Sequence, residues 1–488
     1  MRVQVPPSAH MIYKKDHFKG KKITIMGLGL LGRGVGDAKF LAEEGAEIIV
    51  TDLKSKEELA PSVDALKHFE NITFVLGEHR LEDFRNRDFI LKAAGVPFDS
   101  IYIEEAKKNI IPIEMSTSLF ASLTPATIIG ITGTRGKSTV THLLYEILKK
   151  YYTAPPNLPL PGEETASPLL VRRGEGGEAA PKIFLGGNVK GVSTLQFLGE
   201  AKKGDLVVLE LDSWQLQGFG DKKISPHVSI FTTLFPDHMN YYKNDMNAYV
   251  LDKANIFLKQ QKGDFLIVGS QAAHTIKEKF ESKISSKIII VDEKDFPESW
   301  GFIPPGAHNK YNAALAIAGA QTLGVDLENI KEAVEAFRGI SGRLEFVKEI
   351  SGIKIYNDTT ATTPDATIVA LKALSMETQT SNHIILILGG ADKNLDMKAL
   401  FSEIPKHVRA LVVLPGTGTD RVKKEIEALK AEGVEVYDST VMKDAVEKAF
   451  FLCKPGDSLI LSPAFTSFGM FKNEFDRGDR FLEIVNFL

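Results

Sequence analysis

The chain has 488 residues, room for about three domains at roughly 150 residues each. It is 43% hydrophobic and 25% charged, with a net charge of −4. That balance excludes a disordered or fibrous chain and leaves no basic excess for a broad nucleic-acid or acidic-membrane surface. A single cysteine, Cys453, excludes an intrachain disulfide framework and any cysteine-clustered metal site, and it fits a reducing compartment. Apolar runs such as Ile384–Leu388 are too short to span a bilayer, and the first 25 residues hold no apolar h-region. The expectation is a soluble cytoplasmic protein without nucleic-acid or membrane partners.

In chain order, short β-rich runs alternate with helical stretches, the pattern of α/β domains built on mostly parallel sheets. Lys22–Met26, Ala46–Thr51 and Asp88–Leu91 read as strands of a first series, with a helix over Gly36–Glu44. A second series comprises Thr127–Thr132, Asp205–Leu211, His227–Thr232, Asp264–Val268 and Lys287–Val291. A third comprises Ile353–Tyr356, His383–Leu388, Ala410–Leu414, Glu435–Tyr437 and Asp457–Leu461. Expected domains are therefore 1–125, 126–340 and 341–488. Residues 153–181 interrupt the rhythm with six prolines and four glycines and read as a flexible surface insertion, or alternatively as a regulatory or partner-binding loop.

Two glycine turns carry the chemistry. Thr132-Gly-Thr-Arg-Gly-Lys-Ser-Thr139 follows an apolar strand and opens a helix from about Val140 to Lys150. Such a loop aims backbone N–H groups and a helix N-terminus at phosphates. Lys137 would neutralise the β/γ-phosphates and Ser138 would offer its hydroxyl to Mg²⁺. The glycines sit at Gly133 and Gly136, a closer spacing than the general P-loop pattern. Gly27-Leu-Gly-Leu-Leu-Gly32, with Asp52 twenty residues further on, is a Rossmann fingerprint and reads as a site for a nucleotide diphosphate. Asp52 would accept a hydrogen bond there; a carboxylate that merely caps a strand end is the other reading. Glu210 ends an apolar strand where it could reach the metal, and His238 follows another strand end. Lys253, within a helical stretch, reads from spacing alone as a surface lysine.

In combination with Gly186-Gly-Asn-Val-Lys-Gly191, Glu210-Leu-Asp-Ser-Trp-Gln215, Asp237-His-Met239, Gly306-Ala-His-Asn-Lys-Tyr-Asn312, Ser341-Gly-Arg-Leu-Glu345 and Tyr356-Asn-Asp-Thr359, these residues make the chain resemble the Mur ligase family over nearly its whole length. Those enzymes use ATP to add amino acids to the peptidoglycan precursor of the cell wall. The Rossmann-type turn, Leu461-Ser-Pro-Ala-Phe-Thr-Ser-Phe468 and Phe471-Lys-Asn-Glu-Phe-Asp-Arg-Gly478 are similar to the member that adds D-glutamate to UDP-N-acetylmuramoyl-L-alanine. The resemblance implies a Rossmann-like first domain for the UDP group, a central P-loop-type ATPase domain and a Rossmann-like last domain for the amino acid, in a cytoplasmic monomer.

It also implies residue roles. Gly29, Leu30, Gly32, Asp52, Gly95 and Asn188 would bind the UDP substrate. Gly133, Thr134, Gly136, Lys137, Ser138, Thr139, Asn309, Asn312, Arg343 and Asp358 would bind ATP, and Thr362, Lys393 and Ser467 would face glutamate. Lys137, Glu210, His238 and Lys253 would be catalytic. Ser138, Glu210, His238 and Lys253 would hold Mg²⁺, with Lys253 as a carbamate. Two positions depart from the family pattern: Thr360 stands where a lysine is usual, and Asp212 where a serine is. A nicotinamide-dependent oxidoreductase using the first glycine turn, and a non-catalytic nucleotide-binding protein, are the competing classes.

Overall fold

A computed structural model of the chain describes residues 12–30, 32–97, 99–153, 180–189, 191–377 and 383–488. Most of the predicted insertion, residues 154–179, lies outside this description. Three sheets organise the rest. The first contains β1 (Lys22–Met26), β2 (Glu47–Asp52), β3 (Ile72–Leu76), β4 (Phe89–Lys92) and β5 (Ile113–Glu114), all parallel in the order β3-β2-β1-β4-β5. The second contains β6 (Thr127–Thr132), β7 (Ile183–Gly187), β8 (Leu206–Glu210), β9 (Val228–Phe231), β10 (Phe265–Gly269) and β11 (Lys287–Val291). It too is parallel, in the order β11-β10-β9-β6-β8-β7.

The third sheet contains β12 (Glu345–Ile350), β13 (Ile353–Asn357), β14 (Ile384–Gly389), β15 (Val408–Leu414), β16 (Glu435–Asp438) and β17 (Ser458–Leu461), in the order β12-β13-β17-β14-β15-β16. Here β12 is an antiparallel edge strand paired with β13, and the others run parallel. The sequence supports buried parallel sheets because strands such as β8 (LVVLE) and β14 (IILILG) are buried at every position. A strand covered by helices on both faces needs such an unbroken apolar run.

In open α/β sheets ligands collect beyond the carboxyl ends of the strands, where strand order reverses. In the first sheet the chain runs β1-β2-β3 to one side and adds β4-β5 on the other, so the reversal lies between β1 and β4. In the second, β6 stands between β8 and β9, which places its following loop at the reversal. In the third, β17 enters last, between β13 and β14. The two glycine turns singled out from the sequence follow β1 and β6 and so sit at the first two of these positions.

Contacts divide the chain into two compact units: residues up to Asp295 with Ala314–Ile330, and Phe296–Ala313 with Lys331–Leu488. The first unit holds the first two sheets, and a single apolar cluster reaches from Phe18, Ile25 and Leu41 through Leu119 and Phe120 to Leu209 and Phe257. In the second unit, Leu386 and Ile460 face one core while Ile385 and Leu459 face the other, as alternation across a sheet requires. Among the described residues no helix is long and apolar enough to cross a membrane.

Candidate active site

In the first sheet, β1 runs into Gly27, Gly29 and Gly32, all with positive φ, and then into the helix Arg33–Glu43. Gly27 needs its missing side chain, because a Cβ there would lie 2.9 Å from the Cβ of Ala93. Asp52, at the end of β2, is buried. Its Oδ2 accepts from the amides of Leu28 (2.9 Å) and Gly29 (3.0 Å), and its Oδ1 from the amide of Lys54 (3.0 Å). The carboxylate thus clamps the glycine turn itself.

A cavity of about 460 Å³ opens beside this turn, lined by Gly29, Leu30, Asp52, Gly95 and Gln215 among others. Asp37, also on its wall, accepts through Oδ1 from Ser193 (2.6 Å) and Ser116 (2.8 Å). Burial pushes its carboxyl up to about 6, against those two hydrogen bonds and Arg33. Arg33 donates to Oδ1 of Asn188 (2.9 Å), whose amide nitrogen lies 3.5 Å from Oε1 of Glu210. A chain of polar contacts therefore connects the first glycine turn with the end of β8.

The loop after β6 is held by its neighbour β9. A Cβ on Gly133 would lie 2.0 Å from Oγ1 of Thr232, so glycine is obligatory there. Arg135 donates its amide to Oγ1 of Thr233 (2.9 Å), and the hydroxyl of Thr134 donates to Phe235 O (3.0 Å). Lys137 and Ser138 open the helix Lys137–Thr153, which starts three residues before its predicted beginning. The Lys137 ammonium curls over the loop onto the carbonyls of Gly133 (3.0 Å) and Thr134 (3.2 Å). Thr139 follows in the first helical turn.

Lys253 corrects the reading from spacing. It lies in the helix Met246–Ala254, but on the inner face and only 2% exposed, so it is no surface lysine. Its Nζ donates to Gly133 O (2.9 Å) and reaches Oγ1 of Thr132 (3.4 Å), and it stands 4.9 Å over the Tyr249 ring. Burial first, and the neighbouring Lys137 second, bring its ammonium down to about 7, against Asp212, Asp237 and Asp252. An amine so placed has a substantial uncharged fraction near neutral pH, and in that form it can act as a nucleophile.

Glu210 is buried at the end of β8, in register with Ile131 of β6 and so next to the start of the loop. His238 has a left-handed backbone (φ 53°) and packs its ring 4.5 Å from that of Trp214. Asp212 takes a structural role. It caps the helix Ser213–Lys222 by accepting from the amide of Gln215 (2.8 Å), and Gln215 accepts in return from the amide of Asp212 (3.1 Å).

Among the described residues no three His, Cys, Asp or Glu side chains converge as a ready-made metal cage. The donors near the loop, one buried carboxylate and the Ser138 hydroxyl, fit Mg²⁺ that takes its remaining ligands from phosphate and water.

In the second unit, Asn309 and Asn312 lie buried on the helix Ala307–Thr322, and the Asn309 side chain donates to Pro305 O (2.7 Å). Arg343 is exposed in the turn before β12. Asp358, just beyond β13, is fully engaged: Oδ1 accepts from the Leu344 amide (2.9 Å) and Oδ2 from Ser462 (2.7 Å). Burial raises its carboxyl to about 7, so in this setting it shapes the turn. Lys393 donates to Oγ1 of Thr362 (3.0 Å). Two residues before Lys393, Ala391 pairs with Thr466, the neighbour of Ser467 (amide to carbonyl, 2.9 and 3.2 Å). Thr362, Lys393 and Ser467 thus gather at one end of the third sheet. Thr360, the departure from the family pattern, turns its hydroxyl onto Gly342 O (2.8 Å).

Sequence reasoning missed Asp37 and Lys92, both buried at the first cavity. The signal available was a charged residue inside an apolar stretch (GDAKFLA and FILK).

Three family descriptions match the chain in order. They are Mur ligase MurD-like, N-terminal domain, over 21–114, the Mur ligase middle domain over 131–304, and Mur ligase, glutamate ligase domain, over 342–465. A curated relative, the UDP-N-acetylmuramoylalanine–D-glutamate ligase of Borreliella burgdorferi, is 36% identical over 491 residues, covering 96% of this chain and 99% of the relative. The chain belongs to the Mur ligase family.

A second Mur ligase of the same name, from a Roseiflexus species, is 34% identical over 508 residues, covering 96% of this chain and 98% of its own. Among solved structures the Mur ligase fold recurs in the UDP-N-acetylmuramate–alanine ligase MurC of Thermotoga maritima, with a TM-score of 0.55 and 18% identity over 96% of this chain and 99% of the other. It recurs also in the MurF ligase of Thermotoga maritima in complex with ADP, with a TM-score of 0.50 and 14% identity over 97% and 96%. Mur ligases are ATP-dependent enzymes that form an amide bond, which excludes the oxidoreductase reading of the first glycine turn.

Proposed function

We propose that this chain adds D-glutamate to UDP-N-acetylmuramoyl-L-alanine at the expense of ATP, in peptidoglycan precursor synthesis. The observation that carries the choice of amino acid is the placement of Lys393, Thr362 and Ser467 at one end of the third sheet, a cation and two hydroxyls suited to an acidic substrate. Relatives carrying that activity in their name, at 34–36% identity over nearly the full length, support it. The domains in this reading are 1–125 for the UDP group, 126–340 for ATP and 341–488 for glutamate.

The chemistry asks these residues to bring anions together. Lys137 and the loop amides would neutralise the β/γ-phosphates while the alanyl carboxylate attacks the γ-phosphorus and ADP leaves. The amine of glutamate then attacks the acyl phosphate, and phosphate departs. Glu210, Ser138, His238 and Lys253 as a carbamate would hold Mg²⁺, which supplies further neutralisation of phosphate charge. Asn188, tied to Arg33 and Glu210, would orient the muramoyl substrate. Asn309, Asn312 and Arg343 would take the nucleoside side of ATP, with Asp358 holding the turn that carries Arg343.

Phosphate release from ATP with UDP-N-acetylmuramoyl-L-alanine and each of D-Glu, L-Glu and D-Asp tests the proposal. D-Glu should give the fastest release, and a faster rate with L-Glu would require a different acceptor. Lys393→Ala should raise the KM for glutamate about ten- to a hundredfold, the cost of one charged hydrogen bond, and leave that for ATP nearly unchanged. Asp52→Ala should raise the KM for the UDP substrate, because it frees the amides of Leu28 and Gly29 and loosens the turn. An equal rise for ATP would show that the turn does not serve the UDP group.

A further inference from the structure

The cavity at the β1/β4 reversal holds a buried cation with no assigned role. Lys92 ends β4, in register with Met26 of β1, and is 2% exposed. Its Nζ donates to three carbonyls of the turn that follows it: Val96 (2.6 Å), Ala93 (3.2 Å) and Ala94 (3.3 Å). In a trans peptide the carbonyl of one residue and the N–H of the next point in opposite directions. Drawing the Ala93 and Ala94 carbonyls onto the ammonium therefore turns the N–H groups of Ala94 and Gly95 away from it. Among the described residues those two amides donate to no protein acceptor, whereas the Ala93 amide is spent on Met26 O (2.9 Å) and the Val96 amide on Ala93 O (3.1 Å). Ala94 and Gly95 line the cavity together with Gly27, whose missing side chain lets its turn approach Ala93.

We propose that Lys92 is a positioning residue for the UDP substrate. Its buried ammonium gathers the carbonyls of the turn so that the amides of Ala94 and Gly95 stand as paired donors to an oxygen of the uridine diphosphate group. This rests on the functional reading given above. The burial cost of the cation, which brings it down to about 8 against the pull of Asp212 and Asp221, is offset by the three carbonyls.

Two measurements test it. Lys92→Met should raise the KM for UDP-N-acetylmuramoyl-L-alanine about ten- to a hundredfold, the loss expected when charged hydrogen bonds stop holding the donors in place. At saturation kcat, and the KM for ATP, should stay within about twofold. An unchanged KM, or a fall in kcat at saturating substrate, would overturn the role. Should the variant fold poorly, amide hydrogen exchange on the unaltered protein decides the matter. The amides at Ala94 and Gly95 should exchange freely in the protein alone and become protected when UDP-N-acetylmuramoyl-L-alanine is added without ATP. Binding without that protection overturns the assignment of Lys92, whereas no binding at all overturns the proposed substrate instead.

Discussion

Lys137→Ala is expected to lower turnover by about a thousandfold, equivalent to about 4 kcal/mol in the barrier, in a protein that still folds. The ammonium lies over the carbonyls of Gly133 and Thr134 in a loop whose shape is set by β9, not by the lysine. Its removal leaves the loop and takes away the charge that the β/γ-phosphates meet as the γ-phosphoryl group transfers. Phosphate release at saturating substrates is the measurement, with circular dichroism as the control. A folded variant retaining a tenth or more of the activity would show that the loop does not carry phosphoryl transfer.

Lys253→Ala should cost about a hundred- to a thousandfold and should be partly restored by formate or acetate. The amine sits against Gly133 O, next to the loop, and is held near 7. In its neutral form it can add CO₂ and release a proton, giving a carbamate whose oxygen can face Mg²⁺. Because the shift is downward, the reactive amine predominates above about pH 7 and the ammonium below it. Carbamate formation, followed by its carbon-13 signal in bicarbonate, should therefore fall away as pH drops through that value. No carbon-13 signal and no rescue would leave Lys253 as a loop-supporting cation.

How much of this was legible in the sequence depends on local contrast. The strand β6 was read at its observed bounds, Thr127–Thr132, because an unbroken apolar run stops at a glycine turn. Four strands escaped. In β5 only two residues pair, and β7 (IFLGG) follows a proline-rich stretch and ends on two glycines. β3 (ITFVL) stands alone among polar turns, and β12 (EFVKEI), an antiparallel edge strand, is only partly buried and carries three charges. Lys253 was misread from spacing because a lysine is ordinarily solvated. Tyr249 and Val250, four and three positions before it on the same helical face, are both buried and were the signal that it faces inward. The tether of Thr360 to Gly342 had no trace in the sequence, since it depends on the turns before β12 and after β13 meeting at one end of that antiparallel pair.

The apolar cluster shared by the first two sheets bears on whether they can be separated at all. Leu119, Phe120 and Leu123, on the helix Ser116–Leu123 that precedes β6, pack into the same core as Leu198 and Phe184, with the Phe120 and Phe197 rings 6.3 Å apart. Gln215 donates to Thr117 (2.9 Å) and Lys222 to Glu114 (2.6 Å), across the same seam. A fragment cut at residue 125 would carry that helix with its apolar face bare. It should aggregate or melt well below the intact protein, whereas a fragment ending after β11 should retain the seam. In calorimetry the first two sheets should lose their structure in one cooperative transition, as a single foldon.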